Sequence, residues 1–420
     1  MGVKRWLLLL FVGITIVSLG VGYLLVDVYR TWTFPSVFYY LTLQFIPRTW
    51  RGLLFGLAGV AAITIAVLQL NRSLLSAFRA PGQSSLADII YNHRQRGRGP
   101  KVVAIGGGTG LSTLLRGLKE HTDNITAIVT VADDGGSSGR LRRDLGLLPP
   151  GDFRNCIAAL ADDESLTARL FQYRFGEAEG LNGHSFGNLF IAAMAAVTGN
   201  FERAILESSR VLNTRGRIVP STLENVTLWA DLGDDGADAP GSDRVEGESS
   251  IPKAGRPIER VFLEPDQVPG YPGAIRALLE ADLIAIGPGS LFTSVLPNLL
   301  VPGIANALRA SPATKVYISN IATEEGETDH FTLDDHLRAL QAHVGEGLFS
   351  YVLANDHVNL RFPRHLNVEA VAPASELGDG YQLVKRNLVD LENPWQHDPH
   401  RLAAALMNLY DKAKSRLPQE

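Results

Sequence analysis

Cysteine is almost missing from this 420-residue chain: Cys156 is the only one, which excludes internal disulfides and cysteine-rich metal centres and fits a reducing compartment. A basic excess is missing too. The formal charge is -5, from 39 Lys and Arg against 44 Asp and Glu, and no basic face interleaved with aromatics follows Lys101, so nucleic acid is not an expected partner. His330 and His336 lack the spacing of zinc ligands. Two familiar phosphate signatures also fail after Gly106. Leu111 stands where G-x-G-x-x-G needs its last glycine, and no Gly-Lys-Ser/Thr completes a P-loop.

What remains is a globular composition, 45% hydrophobic with 41 glycines, in a chain too long for one ordinary domain. Trp6 to Val26 carries no charged residue, and Gly52 to Leu70 is a second apolar run; each is long enough to cross a bilayer as a helix. The first run exceeds the apolar core of a signal peptide. Lys4 and Arg5 precede it, and Arg72, Arg79, Arg94, Arg96, Arg98 and Lys101 follow the second, against Arg30, Arg48 and Arg51 between them. That bias places both ends in the cytoplasm. The aromatic connector, with Trp32, Phe34, Tyr39, Tyr40 and Trp50, suits the headgroup layer. We therefore expect a multi-pass membrane anchor over 1–72, a basic linker over 73–100 with a short helix at 86–91, and a cytoplasmic domain over 101–413.

From Lys101 short apolar strands alternate with helical segments, which predicts an α/β, Rossmann-like three-layer domain with a mostly parallel sheet. Lys101 to Ile105 reads as a strand, Gly106-Gly107-Gly108-Thr109-Gly110 as a turn, and Leu111 to Glu120 as a helix with Leu111, Leu114, Leu115 and Leu118 on one face. Strand, glycine turn and helix start together make an anion site, because backbone N–H groups and the helix dipole face the ligand. A second strand, Asn124 to Ala132, ends in Asp133-Asp134-Gly135-Gly136-Ser137-Ser138-Gly139-Arg140. In a right-handed β-α-β unit both loops open on one edge of the sheet and face one ligand. Asp133 and Asp134 suit ribose contact, metal contact or catalysis, and the residues leave these open.

Asp152 reads as the N-cap of a helix carrying Arg154 and Asn155 in its first turn, with Cys156 packed on its apolar face. His184 and Asn188 share a helix face at i, i+4 spacing, at the start of a helix expected to lie against the sheet. Arg215 or Arg217 can meet a phosphate from a turn before an edge-like segment. Residues 231–248 read as an acidic surface insertion. Gly287-Pro288-Gly289-Ser290 repeats the phosphate-loop pattern after a strand at Ala281 to Ile286, and Thr323 and Thr328 fall in an acidic loop expected at the surface.

Six ordered blocks, AIGGGTGLSTLLRGL (104–118), VADDGGSSGRLR (131–142), LPPGDFRNCIAAL (148–160), GHSFGNLF (183–190), IGPGSLFTSVLPNLLVPGI (286–304) and YISNIATEEGET (317–328), closely resemble the YvcK or gluconeogenesis-factor branch of the CofD-like family. The resemblance spans about 101–410 and implies a Rossmann-like fold and a UDP-sugar ligand such as UDP-N-acetylglucosamine. It implies a regulatory role in growth on gluconeogenic carbon, cell shape and wall synthesis, with wall-synthesis or metabolic proteins as partners and copies of the chain assembling. The related 2-phospho-L-lactate transferases move a phosphate-linked group from a nucleotide diphosphate donor. That is the alternative activity, with Asp133 and Asp134 as its catalytic candidates and Mg²⁺ as an open cofactor. Those enzymes resemble Gly-Pro-Ser-Asn-Pro at the third loop, whereas Gly287-Pro288-Gly289-Ser290-Leu291 stands here. The expected binding set is Gly106, Gly107, Gly108, Thr109, Gly110, Leu111, Asp133, Asp134, Ser137, Ser138, Asn155, His184, Asn188, Arg217, Gly287, Pro288, Gly289 and Ser290.

Overall fold

The computed structural model describes residues 2–32, 35–76, 97, 99–161, 166–176, 180–233, 244–357, 360–363, 365–373 and 380–416. The chain divides into two compact units, Met1–Ile89 and Ile90–Glu420. The helix expected at 86–91 lies outside the described residues.

The first unit holds two long helices, Gly2–Thr31 and Arg48–Ser76, with a short one, Val37–Leu41, between them. Both long helices overrun the predicted apolar runs at each end. Their most apolar windows are Phe11–Val28 and Arg48–Gln69, with mean hydropathies of 2.0 and 2.1 and no residue buried. At 1.5 Å per residue either is long enough to cross a hydrocarbon core of about 30 Å. Their exposed Phe11, Ile16, Leu24, Phe55, Leu57 and Ile65 side chains form a surface suited to lipid rather than water.

Among the described residues the second unit has ten strands: β1 Val102–Gly106, β2 Ile125–Val129, β3 Arg217–Pro220, β4 Thr227–Leu232, β5 Arg244–Glu246, β6 Ile258–Glu264, β7 Leu283–Ile286, β8 Thr314–Ile318, β9 Tyr351–Asn355 and β10 Gln382–Arg386. Seven form one sheet in the order β10-β9-β8-β7-β1-β2-β3, and every pairing in it is parallel. Such a sheet must be covered on both faces, which is why its central strands are continuous apolar runs. Val102 to Gly106 and Leu283 to Ile286 are buried throughout.

Helix Gly108–Leu118 packs between Gly151–Leu160 and Pro399–Arg416; Pro272–Leu279 packs on Pro302–Ala310 and against β2 and β3. The leucine face predicted for the first of these is wholly buried: Leu111, Leu114, Leu115 and Leu118 are all at 0% exposure. Cys156 is a packed thiol in the same core, and burial pushes its pKa up.

Two expectations change here. Helix Phe186–Thr198 packs on neighbouring helices rather than on the sheet, and Val197 near its end is exposed. The described ends of the stretch expected to be an acidic surface insertion, 231–233 and 244–248, hold the last two residues of β4 and all of β5 in a separate antiparallel sheet, ordered β5-β4-β6, while 234–243 lie outside the described residues. The alternating burial of β4 was the signal for it: Leu228, Ala230 and Leu232 point inward and Thr227, Trp229 and Asp231 outward.

Candidate functional site

The chain builds β1, β2 and β3 outward on one side, then returns to place β7, β8, β9 and β10 on the other. β1 and β7 are therefore adjacent strands whose connections leave in opposite directions, and the crevice beyond their carboxyl ends is where such sheets hold ligands. Gly106 to Gly110 follows β1, and Gly287 to Ser290 follows β7.

These two loops touch backbone to backbone. A methyl group on Gly110 would lie 2.5 Å from the Pro288 carbonyl oxygen and 2.9 Å from the Gly289 Cα. One on Gly107 would lie 2.5 Å from Asp152 Oδ2, and Gly108 adopts φ +59°, which favours glycine. The N-cap of helix Gly108–Leu118 is Gly107, which has no side chain to cap it, and the Gly108 N–H goes to Asp152 instead. Buried Asn298 braces both loops, its Nδ2 donating to the carbonyls of Gly106 at 3.0 Å and Ser294 at 2.8 Å. Its signal in the sequence was a single amide in an apolar run broken by Pro297 and Pro302. The crevice opens into a cavity of about 450 Å³ whose lining includes Gly107, Thr109, Ser290, Asn320, Glu324 and His397. Leu111, placed in the expected binding set, instead turns its side chain into the core.

The second loop approaches from β2. Asp133 Oδ1 accepts the Gly135 N–H at 2.9 Å, while Asp134 Oδ1 accepts that of Ser249 at 2.8 Å. Asp134 is thus tied to the small sheet. Asp152 is not an N-cap: Pro150 holds that place, and Asp152 sits in the first turn, where its carboxylate accepts the Gly108 N–H. It secures the first glycine loop rather than its own helix.

Burial, and then the charge of Asp133, pushes Asp152 up to about 7. Burial followed by Asp133, Asp152 and Asp134 pushes Glu248 up to about 8. Asp133 is also raised by burial, against the hydrogen bonds from Gly135 and Ser138. Sequence reasoning missed Glu248, which arrives from the supposed surface insertion, and misjudged Asp152. Among the described residues no three His, Cys, Asp or Glu groups converge tightly enough to form a ready metal cage.

Ser137, Ser138, His184 and Asn188 come together beside this loop. Arg140 Nε donates to His184 Nε2 at 3.1 Å, so the ring proton lies on Nδ1 and donates to Ser137 Oγ at 3.0 Å. Burial and Arg140 lower the pKa of His184. His184 precedes the N-cap Ser185 and so is not on the Asn188 helix face; the two residues meet Ser137 and Ser138 from different elements. Asn155 accepts a hydrogen bond from Arg154 Nη2 at 2.8 Å.

Arg217 does not join them. It opens β3 beside Thr126, at the other edge of the sheet, in a separate hollow with Lys101 and Arg276. Arg215 bonds the Lys119 carbonyl. Thr323 and Thr328 are 3% and 0% exposed, so neither is a surface site; their hydroxyls accept the N–H groups of Glu369 and Glu324.

A family model described as 2-phospho-L-lactate transferase CofD matches residues 102–375. A Bacillus subtilis protein named gluconeogenesis factor is 47% identical over 320 residues, which is 74% of this chain and 99% of that one. A Nostoc sp. protein bearing the same name provisionally is 45% identical over 427 residues, covering 98% of this chain and 91% of its own length. An X-ray crystal structure of a Bacillus halodurans protein superposes with a TM-score of 0.67 at 44% identity, covering 74% of this chain and 99% of that one.

Proposed function

This chain belongs to the CofD family, in its gluconeogenesis-factor branch, and from that premise we propose that it is a membrane-tethered regulatory protein that binds a UDP-sugar. One observation carries the reading: two glycine loops in backbone contact at the β1/β7 switch point, bringing a β1 loop and a β7 loop free of bulky side chains to the wall of one cavity. Asp133, Ser138 and Asn188 are the residues proposed to meet ribose or sugar hydroxyls. Regulation of gluconeogenic growth, cell shape and wall synthesis follows as the biological role. The two apolar helices supply the tether, with the ligand-binding unit in the cytoplasm as the flanking arginines and lysines favour. Wall-synthesis or metabolic enzymes, and further copies of the chain, are its proposed partners.

Isothermal titration of the full chain in detergent tests this. UDP-N-acetylglucosamine is expected to bind with micromolar affinity or better, roughly -8 kcal/mol. Absence of heat with UDP, UTP and UDP-sugars alike would sink the reading.

A second reading rests on a different observation, the carboxyls Asp152 and Glu248 poised at about 7 and about 8 beside the loops. A group that titrates near neutral pH suits a general base. In a transferase it would take the proton of an acceptor hydroxyl as that oxygen bonds phosphorus, the cleaved P–O pair departing with the nucleotide. A divalent cation, if it enters with the diphosphate, would offset the charge on the phosphate oxygens. Incubation with nucleotide diphosphate donors and deazaflavin or wall-lipid acceptors should then release nucleotide; none released with any pair removes this reading.

A further inference from the structure

The cavity lining is of two chemical kinds. The glycine loops bring backbone. The loop carrying Trp395, Gln396 and His397, together with Asn320, Thr323 and Glu324, brings polar side chains, of which Asn320 and Glu324 also bond the Gly289–Ser290 turn. His397 is only 7% exposed, its ring donates to the Ser319 carbonyl, and its Nε2 has no hydrogen-bond partner among the described residues. The donor must then be Nδ1, which leaves Nε2 with a bare lone pair. Burial pushes the ring down to about 4, so it is neutral in ordinary buffers. Glu324 lines the same cavity against the third glycine loop: Ser290 bonds it, yet its Oε2 is buried and also without a partner among the described residues. Buried acceptors left unmade are costly, and two of them on residues lining one cavity would be met by a ligand that brings donors.

We infer that the Trp395–His397 part of the cavity is the sugar subsite of a nucleoside diphosphate-sugar, with His397 Nε2 and Glu324 accepting hydrogen bonds from its hydroxyl or amide groups. The glycine loops hold the diphosphate, which carries no donors and needs the amides instead. This inference rests on the nucleotide-sugar reading above.

The test compares UDP with UDP-N-acetylglucosamine by isothermal titration of the detergent-solubilised full chain. His397→Asn keeps a donor for Ser319 and removes the acceptor from the Nε2 position, its shorter amide oxygen lying elsewhere. It should weaken the UDP-sugar about tenfold, the scale of one buried hydrogen bond, and UDP less than about twofold. His397→Gln, whose amide oxygen reaches further into the cavity, should recover part of the loss. Glu324→Gln is the independent variant, replacing the acceptor by a donor, and should show the same selective loss. Parallel weakening of both ligands, or no weakening of either, overturns the subsite while leaving UDP binding and the underlying reading intact. A wild-type chain that takes up neither ligand overturns both.

Discussion

Gly110→Ala should lower the affinity of the full chain for UDP-N-acetylglucosamine at least about 100-fold and destabilise its second unit by about 2 kcal/mol, the cost of overpacking a fixed contact. Alanine in a helix ordinarily stabilises by up to about 1 kcal/mol over glycine, so the sign alone is diagnostic. The added methyl would lie 2.5 Å from the Pro288 oxygen, 2.7 Å from its carbonyl carbon and 2.9 Å from the Gly289 Cα. All three are backbone atoms and cannot rotate aside. Nor can the third loop retreat easily. Gly289 N–H bonds Asn320, and Asn298 ties the helix behind that loop to the Gly106 carbonyl. The strain must push the two loops apart and displace the backbone that lines the cavity where the diphosphate would sit.

Gly108→Ala is the comparison that isolates this cause. Its φ of +59° makes alanine strained, yet its nearest neighbour, Ser294 Oγ, is 3.7 Å away. It should cost about 1 kcal/mol and spare most of the affinity. Thermal unfolding monitored alongside the titrations separates the two effects. A Gly110→Ala protein with the melting temperature and affinity of the wild type would refute the contact.

The crevice was legible in the sequence to the extent that it is made of backbone. Gly106 to Gly110 and Gly287 to Ser290 announce themselves because only glycine tolerates those approaches, and the leucine spacing after them fixes which side of the helix is core. Side chains brought from a distance were another matter. Glu248 enters on a hairpin whose acidic surroundings resemble solvated surface, and its role depends on Ser249 meeting Asp134, a contact spanning 115 positions in the chain. Asp152 has the composition of an N-cap, but the nearest unsatisfied N–H in three dimensions belongs to Gly108. Arg217 erred the other way: local chemistry suggested an anion, while the parallel register with β2 puts it at the wrong edge. A register cannot be read from the turn that precedes it. The buried Thr323 and Thr328 repeat the lesson, since an acidic stretch looks exposed until the strand behind it is placed.

The acidic residues of that same stretch give the second large effect. Glu327 is 8% exposed; its Oε1 accepts the Thr293 hydroxyl at 2.9 Å, and its Oε2 has no hydrogen-bond partner among the described residues. Burial, and then the charge of Glu324, pushes it up to about 8 from 4.5. An acid whose folded pKa is raised contributes stability that is complete below its unfolded pKa and is lost as pH rises through the folded value. For Glu327 that window runs from about 4.5 to about 8. Above it the folded protein must hold an ionised carboxylate with one oxygen unsatisfied. Glu327→Gln removes the charge and retains an acceptor for Thr293. It should therefore be more stable than the wild type by about 2 kcal/mol at pH 9, less than an isolated buried charge would cost because Glu324 shares the titration. At pH 4.5 to 5 the advantage should vanish. The measurement is the difference in melting temperature between the two proteins from pH 5 to pH 9, and a difference that stays flat across that range would rule the account out. Retaining so costly a carboxylate makes sense if the site uses it. Thr293 lies in the turn directly after the third glycine loop, so Glu327 helps to position that loop, and the stabilised variant should bind UDP-N-acetylglucosamine more weakly than the wild type at pH 8.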